Sequence, residues 1–271
     1  NGTTHAGTGT PQQVPGITDA TAVAAGTSYS VVLRRDTTLR AWGNNDSGAL
    51  GDGTTTSRLS PVNVFALPGV KSIAAGATRC YAVKTDGTLW GWGDNFAGQL
   101  GTGSTDAYAT RATRLATLSA VIAAAADTDY ALALKDDGTV WAWGANARGE
   151  LGDGTTIRRT APVQVAGLRN ITQIVTARGV NFAIDRDSYL WTWGAVKQPG
   201  SDSDTTTPVR VTGIAGVTSV AGGNGFYFVL QSDGTVLAWG KNTEGELGDG
   251  TTASRTTPVL VPALTGLKRI V

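Results

Sequence analysis

The chain of 271 residues has no Met, one Cys and one His, and only 16% of it is charged. Each scarcity removes a class of chemistry. Cys80 has no second thiol with which to form an internal disulfide, and His5 alone cannot complete a Cys/His zinc set. Nucleophilic catalysis lacks its usual base, since His5 falls in the Gly/Thr-rich residues 1–10, which read as a tail. With 22 basic and 21 acidic side chains, scattered rather than clustered, nothing is set to neutralise a phosphate backbone, so nucleic acid is not an expected partner. The longest apolar run, residues 120–126, is far too short to cross a bilayer as a helix, and no membrane insertion is expected. Asn1 is preceded by neither an initiator Met nor a signal peptide, which suggests a processed chain or one excised from a longer protein. Low charge, little Lys and plentiful Thr, Ala and Gly suit a secreted or cell-surface protein, the expected location.

What the sequence does have is an internal repeat, and it organises the whole chain. Trp-Gly recurs at Trp42, Trp92, Trp143, Trp193 and Trp239, at spacings of 50, 51, 50 and 46 residues. Around each copy the same pieces follow in the same order. A segment of small residues ending in Gly comes first, as at 72–76 and 218–222. An apolar strand follows, as at 29–33, 130–134 and 226–230, and then a turn containing Asp86-Gly87, Asp137-Gly138 or Asp233-Gly234. Gly accepts positive φ without a Cβ clash, so Asp-Gly between alternating apolar runs predicts a hairpin. The Trp strand is next. Side chains two apart share a strand face, so Trp90 and Trp92, Trp141 and Trp143, and Trp191 and Trp193 point the same way. A loop reading Gly-Glu-Leu-Gly-Asp-Gly-Thr-Thr follows at 149–156, with near copies at 48–55 and 245–252. Pro-Val then opens a last strand at Pro61, Pro162, Pro208 and Pro258. Pro lacks the N–H that a central strand must donate, which makes this strand an edge.

Four short strands in about 50 residues, without helical periodicity, predict an all-β protein of the β-propeller class, a single domain over residues 11–271. One blade cannot bury both faces, so Trp42, Trp92, Trp143, Trp193 and Trp239 are expected in the core between blades. The ordered series of small-Gly segment, apolar strand, Asp-Gly turn, Trp-Gly-x-Asn, Gly-x-Leu-Gly-x-Gly and Pro-Val resembles the regulator of chromosome condensation repeat. The paired glycines that mark kelch blades are not repeated. The resemblance implies a propeller of usually seven blades that works through protein–protein contact. In the founding branch that work is guanine-nucleotide exchange, and the propeller-type β-lactamase inhibitors are similar in architecture, with shorter blades. Family members commonly carry His near the start of the second strand, where this chain has Tyr29, Arg79, Tyr130, Val180 and Phe226, so a diverged, bacterial-type branch is expected. Five complete blades are visible. Residues 11–14 read as a further outer strand and 268–271 as a further inner one, which fits either an arc of a longer propeller or a small ring sealed by overlapping ends. The fourth unit degenerates over 195–204, and the second has Arg111-Ala-Thr in place of Pro-Val.

Site candidates follow from what varies between blades. The Trp series could stack sugars or bases, but its recurrence at one position in every blade marks core. Turn chemistry explains Asp86, Asp137 and Asp233. Asp52, Asp153 and Asp249, in the oxygen-rich loops, and residues 201–204 lack the spacing of a calcium loop, so neither metal nor cofactor is expected. No carboxylate pair stands out for glycoside hydrolysis, and no catalytic residue is assigned. Directly after each Trp-Gly, by contrast, unlike residues hold matching points: Asp46 and Ser47, Phe96 and Ala97, Ala147 and Arg148, Lys197 and Gln198, Thr243 and Glu244. Loops on a rigid frame often carry recognition, and these would form a ring on one rim of a propeller. Phe96 is the natural anchor. The chain therefore reads as a non-enzymatic protein-binding module acting through these loops. Two other readings stay open: a structural subunit of an extracellular assembly joined through uncovered blade faces, and a regulator or inhibitor of another enzyme.

Overall fold

The computed structural model describes residues 11–197, 204–262, 264 and 266–270, and every regular element among them is a β-strand. The first sheet holds β1 (Ala20–Ala25), β2 (Tyr29–Arg34), β3 (Leu39–Gly43) and β4 (Arg58–Asn63). The second holds β5 (Val70–Ala75), β6 (Arg79–Lys84), β7 (Leu89–Asp94) and β8 (Tyr108–Arg114). In the third are β9 (Val121–Ala126), β10 (Tyr130–Lys135), β11 (Val140–Gly144) and β12 (Arg159–Gln164). The fourth comprises β13 (Ile171–Ala177), β14 (Val180–Asp185), β15 (Leu190–Lys197) and β16 (Asp204–Arg210). The fifth comprises β17 (Val217–Gly222), β18 (Phe226–Gln231), β19 (Val236–Gly240) and β20 (Arg255–Leu260). In all five sheets the spatial order of strands is their order in sequence. Each Trp-Gly thus marks one four-stranded blade, and the β-propeller class read from the repeat is the one the chain adopts.

Burial follows position in the blade. Second strands such as β6 and β10 are buried at five consecutive residues, whereas the Pro-Val strands β4 and β20 lie half-exposed at the sheet edge, where a missing N–H costs nothing. First strands lie at the opposite edge and meet one another, β1 against β5 and β5 against β9 in one part of the chain and β13 against β17 in another. Their small residues allow that approach. The Asp-Gly turns are three-residue hairpin loops: the Lys84 amide donates to the Thr88 carbonyl at 2.9 Å and Gly87 sits at φ +75°. Asp86 fixes the turn by accepting from the Thr88 amide and hydroxyl, at 3.0 and 2.6 Å.

Two expected end strands do not form. Residues 11–14 and 268–270 are irregular, because a short terminal segment gains strand geometry only from a ladder partner. Val14 instead lines a groove together with residues of β1 and β2, and Ile270 rests on the apolar cluster of the fifth sheet.

The described residues fall into two compact units, one built on the first two sheets and one on the last two, with residues of the third sheet in both. The first unit packs Val31, Ala41, Leu50, Cys80, Ala82 and Trp92 into one core. Burial pushes the Cys80 thiol up, away from the thiolate form that reacts. The second unit centres on Phe182, Tyr227 and Trp239, with Phe182 and Tyr227 edge-to-face at 5.1 Å between ring centroids.

Consecutive blades are joined by a repeated pair of bonds. Three of the Trp residues donate the indole Nε1–H to a carbonyl in the loop of the preceding blade: Trp92 to Ala49 at 2.9 Å, Trp143 to Gln99 at 2.8 Å and Trp193 to Glu150 at 3.0 Å. In return, a loop glycine of each of the first three blades donates its amide to the edge strand of the next: Gly53 to Thr110, Gly103 to Thr160 and Gly154 to Thr206, at 2.9–3.0 Å. The two bonds run in opposite directions along the chain. A third tie occupies the aligned second-strand position in the first unit. The Tyr29 hydroxyl donates to the carbonyls of Gly76 and Arg79, and the Arg79 guanidinium, fully buried, donates to those of Thr128 at 2.6 Å and Asp127 at 2.8 Å.

Candidate functional site

The loops that follow the third strands are shaped from within by one buried side chain. In the first blade the Asn45 amide donates to the carbonyls of Thr54 and Thr56 while its oxygen accepts from the Leu50 amide. Asn95, Asn146 and Asn242 repeat the same three bonds, from Ser104, Asp106 and Leu100 in the second blade to Thr251, Ala253 and Leu247 in the fifth. An amide carries two donors and an acceptor on a short stem, so a single Asn satisfies backbone groups from both ends of the loop. The sequence shows this residue only as the last letter of Trp-Gly-x-Asn. Its role as organiser appears from its partners. Asn95→Ala is expected to cost about 1–3 kcal/mol, through a part-buried carbonyl pair and the buried Leu100 amide left unpaired, and to raise amide exchange at Leu100; unchanged exchange there would show the loop to be held by other means.

Asp52 and Asp249 complete the loops in their blades. Each accepts from a Thr two residues on and from an Arg that opens the last strand, Arg58 at 2.8 Å and Arg255 at 2.7 Å. For Asp52 burial pushes the carboxyl up, but the bonds from Thr54 and Arg58 outweigh it and leave the group below its ordinary value. The bonds from Thr251 and Arg255 hold Asp249 lower still. These carboxylates are occupied by the loop itself. Among the described residues no cluster of three or more His, Cys, Asp and Glu is arranged to hold a metal ion, and no helix is long and apolar enough to cross a membrane.

Against this fixed frame, the variable residues point outward. In the first unit Phe96 is 82% exposed, on a loop whose neighbours Asn95, Gln99 and Leu100 are buried, and Asp46 is exposed and bonded only to its local neighbour Asn44. Ser47 is half-buried. In the second unit Glu244 is exposed beside Glu246, whose carboxyl is pushed down to about 2 by the hydrogen bond from Lys241 and then by the Glu244 amide. Arg148 is not free: it pairs with Asp204 at 2.7 Å, and this bond raises its own pKa.

The fourth blade departs from the expectation. Lys197 ends β15 and pairs in the ladder with Asp204, so it lies in a strand rather than in a loop after one. Val196 stands where the other blades place Asn, and without an amide to gather the loop carbonyls the hairpin continues. Gln198 and residues 201–203 lie outside the described residues.

The Trp positions differ in what covers them. Trp92, Trp143 and Trp193 are fully buried, Trp239 nearly so, and Trp42 is half-exposed beside an open groove.

Compared with known families, the RCC1-like domain matches residues 1–271. The E3 ubiquitin-protein ligase HERC2 of Homo sapiens is 31% identical over 145 residues, which is 51% of this chain and 3% of HERC2. The ultraviolet-B receptor UVR8 of Arabidopsis thaliana is 29% identical over 180 residues, 64% of this chain and 41% of the receptor. The chain therefore spans less than half the length of these relatives. Among solved structures, human WBSCR16 superposes with a TM-score of 0.77 at 22% identity, over 88% of this chain and 66% of that one. Prp20p of Saccharomyces cerevisiae, a structure described with its binding to Gsp1p and histones, gives 0.74 at 21% identity, over 89% and 65%. At these identities the likeness to solved structures shows the fold alone.

Proposed function

Because this chain belongs to the RCC1-like domain family, we propose that it works as a non-enzymatic protein-binding propeller module whose contacts are made by the loops after the third strands. The observation that carries the proposal is Phe96. A large aromatic side chain left 82% exposed on a loop that Asn95 locks from beneath loses little conformational entropy when a partner covers it. Asp46 on the neighbouring loop supplies charge near the rim, and Glu244 does so in the second unit. A partner that is a protein rather than a nucleic acid fits the net charge of +1, which offers no field for phosphates. The binding of Gsp1p and histones described for Prp20p supports recognition as the use of this fold. We place the module outside the cytoplasm, at the cell surface or secreted, on its low charge and Thr-rich composition.

The test begins with the purified chain as bait and cross-linked partners identified by mass spectrometry, followed by affinity measurement on loop variants. Phe96→Ser is expected to weaken the identified complex by at least tenfold, with the melting temperature unchanged, as for a buried aromatic anchor at an interface centre. A partner held equally well by Phe96→Ser, Asp46→Ala and Glu244→Ala would place recognition elsewhere on the molecule.

A further inference from the structure

Four of the five outer strands carry a proline at one place: Pro61 in β4, Pro162 in β12, Pro208 in β16 and Pro258 in β20. In β8 that place holds Ala112, between Arg111 and Thr113. The ladder around it is otherwise the same. Gly91 faces Thr113 and Gly93 faces Ala109, as Ala41 faces Val62 and Gly43 faces Arg58 in the first blade, and as Ala238 faces Val259 and Gly240 faces Arg255 in the fifth. A ladder that forms around proline makes no use of an N–H there, so the Ala112 amide is a donor beyond what the blade needs.

Its direction follows from its neighbours. The Leu115 amide turns inward to the Leu89 carbonyl at 2.9 Å, and alternation along an antiparallel strand turns Thr113 inward too, which leaves Ala112 and Arg114 directing N–H and C=O away from β7. Thr110, on the same outward side, has its carbonyl taken by the Gly53 amide of the first blade at 3.0 Å. The stretch from Ala112 to Arg114 is therefore open edge. Proline is one of the means by which proteins keep such an edge from pairing, and β8 is the outer strand that lacks it.

The side chains along this edge select what it pairs with. Arg111 and Arg114 are exposed, and neither has an ion-pair partner among the described residues. Asp86 feels the Arg114 charge, but its own bonds go to Thr88. The Arg111 guanidinium lies 4.0 Å from the centre of the Phe65 ring, and a Cβ on Gly53 would meet its Nε at 3.1 Å, so the fork is held ahead of any partner. Carboxylates on an extended segment match the two arginines while its backbone matches the edge.

We propose that the outer edge of β8 takes up an extended acidic segment of a partner protein as a fifth strand of the second blade. The Ala112 and Arg114 amides donate to its carbonyls, and Arg111 and Arg114 pair with its Asp or Glu side chains. This inference goes beyond the rim-loop reading and uses none of the residues on which that reading rests.

The test is fluorescence anisotropy of a labelled peptide of four alternating Glu-Val pairs, blocked at both ends, against the native chain and its variants. Each substitution gives β8 what β4 carries at the same place: Ala112→Pro follows Pro61, Arg111→Ser follows Ser60 and Arg114→Asn follows Asn63. The native chain is expected to bind, and Ala112→Pro to bind about tenfold more weakly at an unchanged melting temperature, as for a lost hydrogen bond and a blocked edge. The double variant Arg111→Ser with Arg114→Asn is expected to lose about tenfold as well, and so is a peptide with Lys in place of Glu. Amide exchange at Ala112 slows when the peptide is bound, and this readout decides the matter if Ala112→Pro melts lower. The proposal is overturned if the native chain does not bind the peptide, if Ala112→Pro or the Lys peptide binds equally well, or if exchange at Ala112 is unchanged. Dimers of the native chain that Ala112→Pro abolishes would overturn it too, by giving the edge to a second copy. Phe96→Ser is expected to leave peptide binding intact, so the two readings fall separately.

Discussion

Trp143→Ala is expected to lower the free energy of unfolding by about 3–5 kcal/mol, the range for removing a fully buried large aromatic. The ring is completely enclosed, seated on Gly101, in edge contact with Tyr81 at 5.7 Å, and bonded through Nε1 to Gln99. Its loss leaves a cavity whose walls cannot close, because Gly101 belongs to a loop already held by Asn95 and the Tyr81 hydroxyl is bonded to the same Gln99 carbonyl. Trp141 makes the control. It stands two residues away in the same strand, half-exposed, with its Nε1–H donated to Thr139 within its own turn, and Trp141→Ala is expected to cost about 1–2 kcal/mol. Chemical denaturation with the slope held constant separates the two. Equal losses would mean that burial between blades contributes no more than burial at the hairpin.

A loss of about 2–4 kcal/mol is expected for Arg79→Ala. A guanidinium with no exposed surface is held there by the carbonyls of Thr128 and Asp127, with a longer bond to Tyr130 at 3.4 Å. Removing it strips two part-buried acceptors and one buried acceptor of their donor at once, and each unpaired acceptor costs about 1–3 kcal/mol less whatever water recovers. Arg79→Lys is expected to recover less than half of the loss, since a compact ammonium cannot span carbonyls that a planar fork reaches together. Thermal denaturation gives the magnitude, and faster amide exchange confined to residues 127–130 gives the location. Full stability in Arg79→Lys would show that charge alone, rather than the fork, satisfies the site.

The contrast between Arg79 and Val180 also shows where sequence reasoning stops. Alignment of the blades puts the two at one position and says that it varies. It does not say that Tyr29 and Arg79 reach across to the next blade's carbonyls while Val180 sits in an apolar cluster with Phe182. Strand order, hairpin position and the edge placement of the Pro strands were legible because each rests on local chemistry: alternation, Asp-Gly turn geometry, and the missing proline N–H. Acceptors are not local. Nothing around Trp92 names Ala49, 43 residues away, as the carbonyl its indole will find. For the same reason Asn45, Asn95, Asn146 and Asn242 were visible as a motif while their work in shaping the loops was not. Residues 11–14 and the fourth-blade hairpin depart from expectation for a different reason. Pairing depends on what lies alongside: residues 11–14 look like a strand but have no ladder among the described residues, whereas Lys197, expected in a loop, continues the ladder opposite Asp204.

The identical bonds at successive junctions bear on how such a chain can change its length. A cut made just after one Trp-Gly and another just after the next removes a loop together with the indole it holds: with cuts after Gly93 and Gly144, Trp92 keeps Ala49, Trp193 keeps Glu150, and Gly53 would find Thr160 in place of Thr110. Recombination between repeats therefore has a natural frame of one Trp to the next. Gain or loss of a unit in that frame is expected to be tolerated at the three seams that carry these bonds, whereas a crossover displaced by half a unit separates a loop from the indole it was shaped to hold.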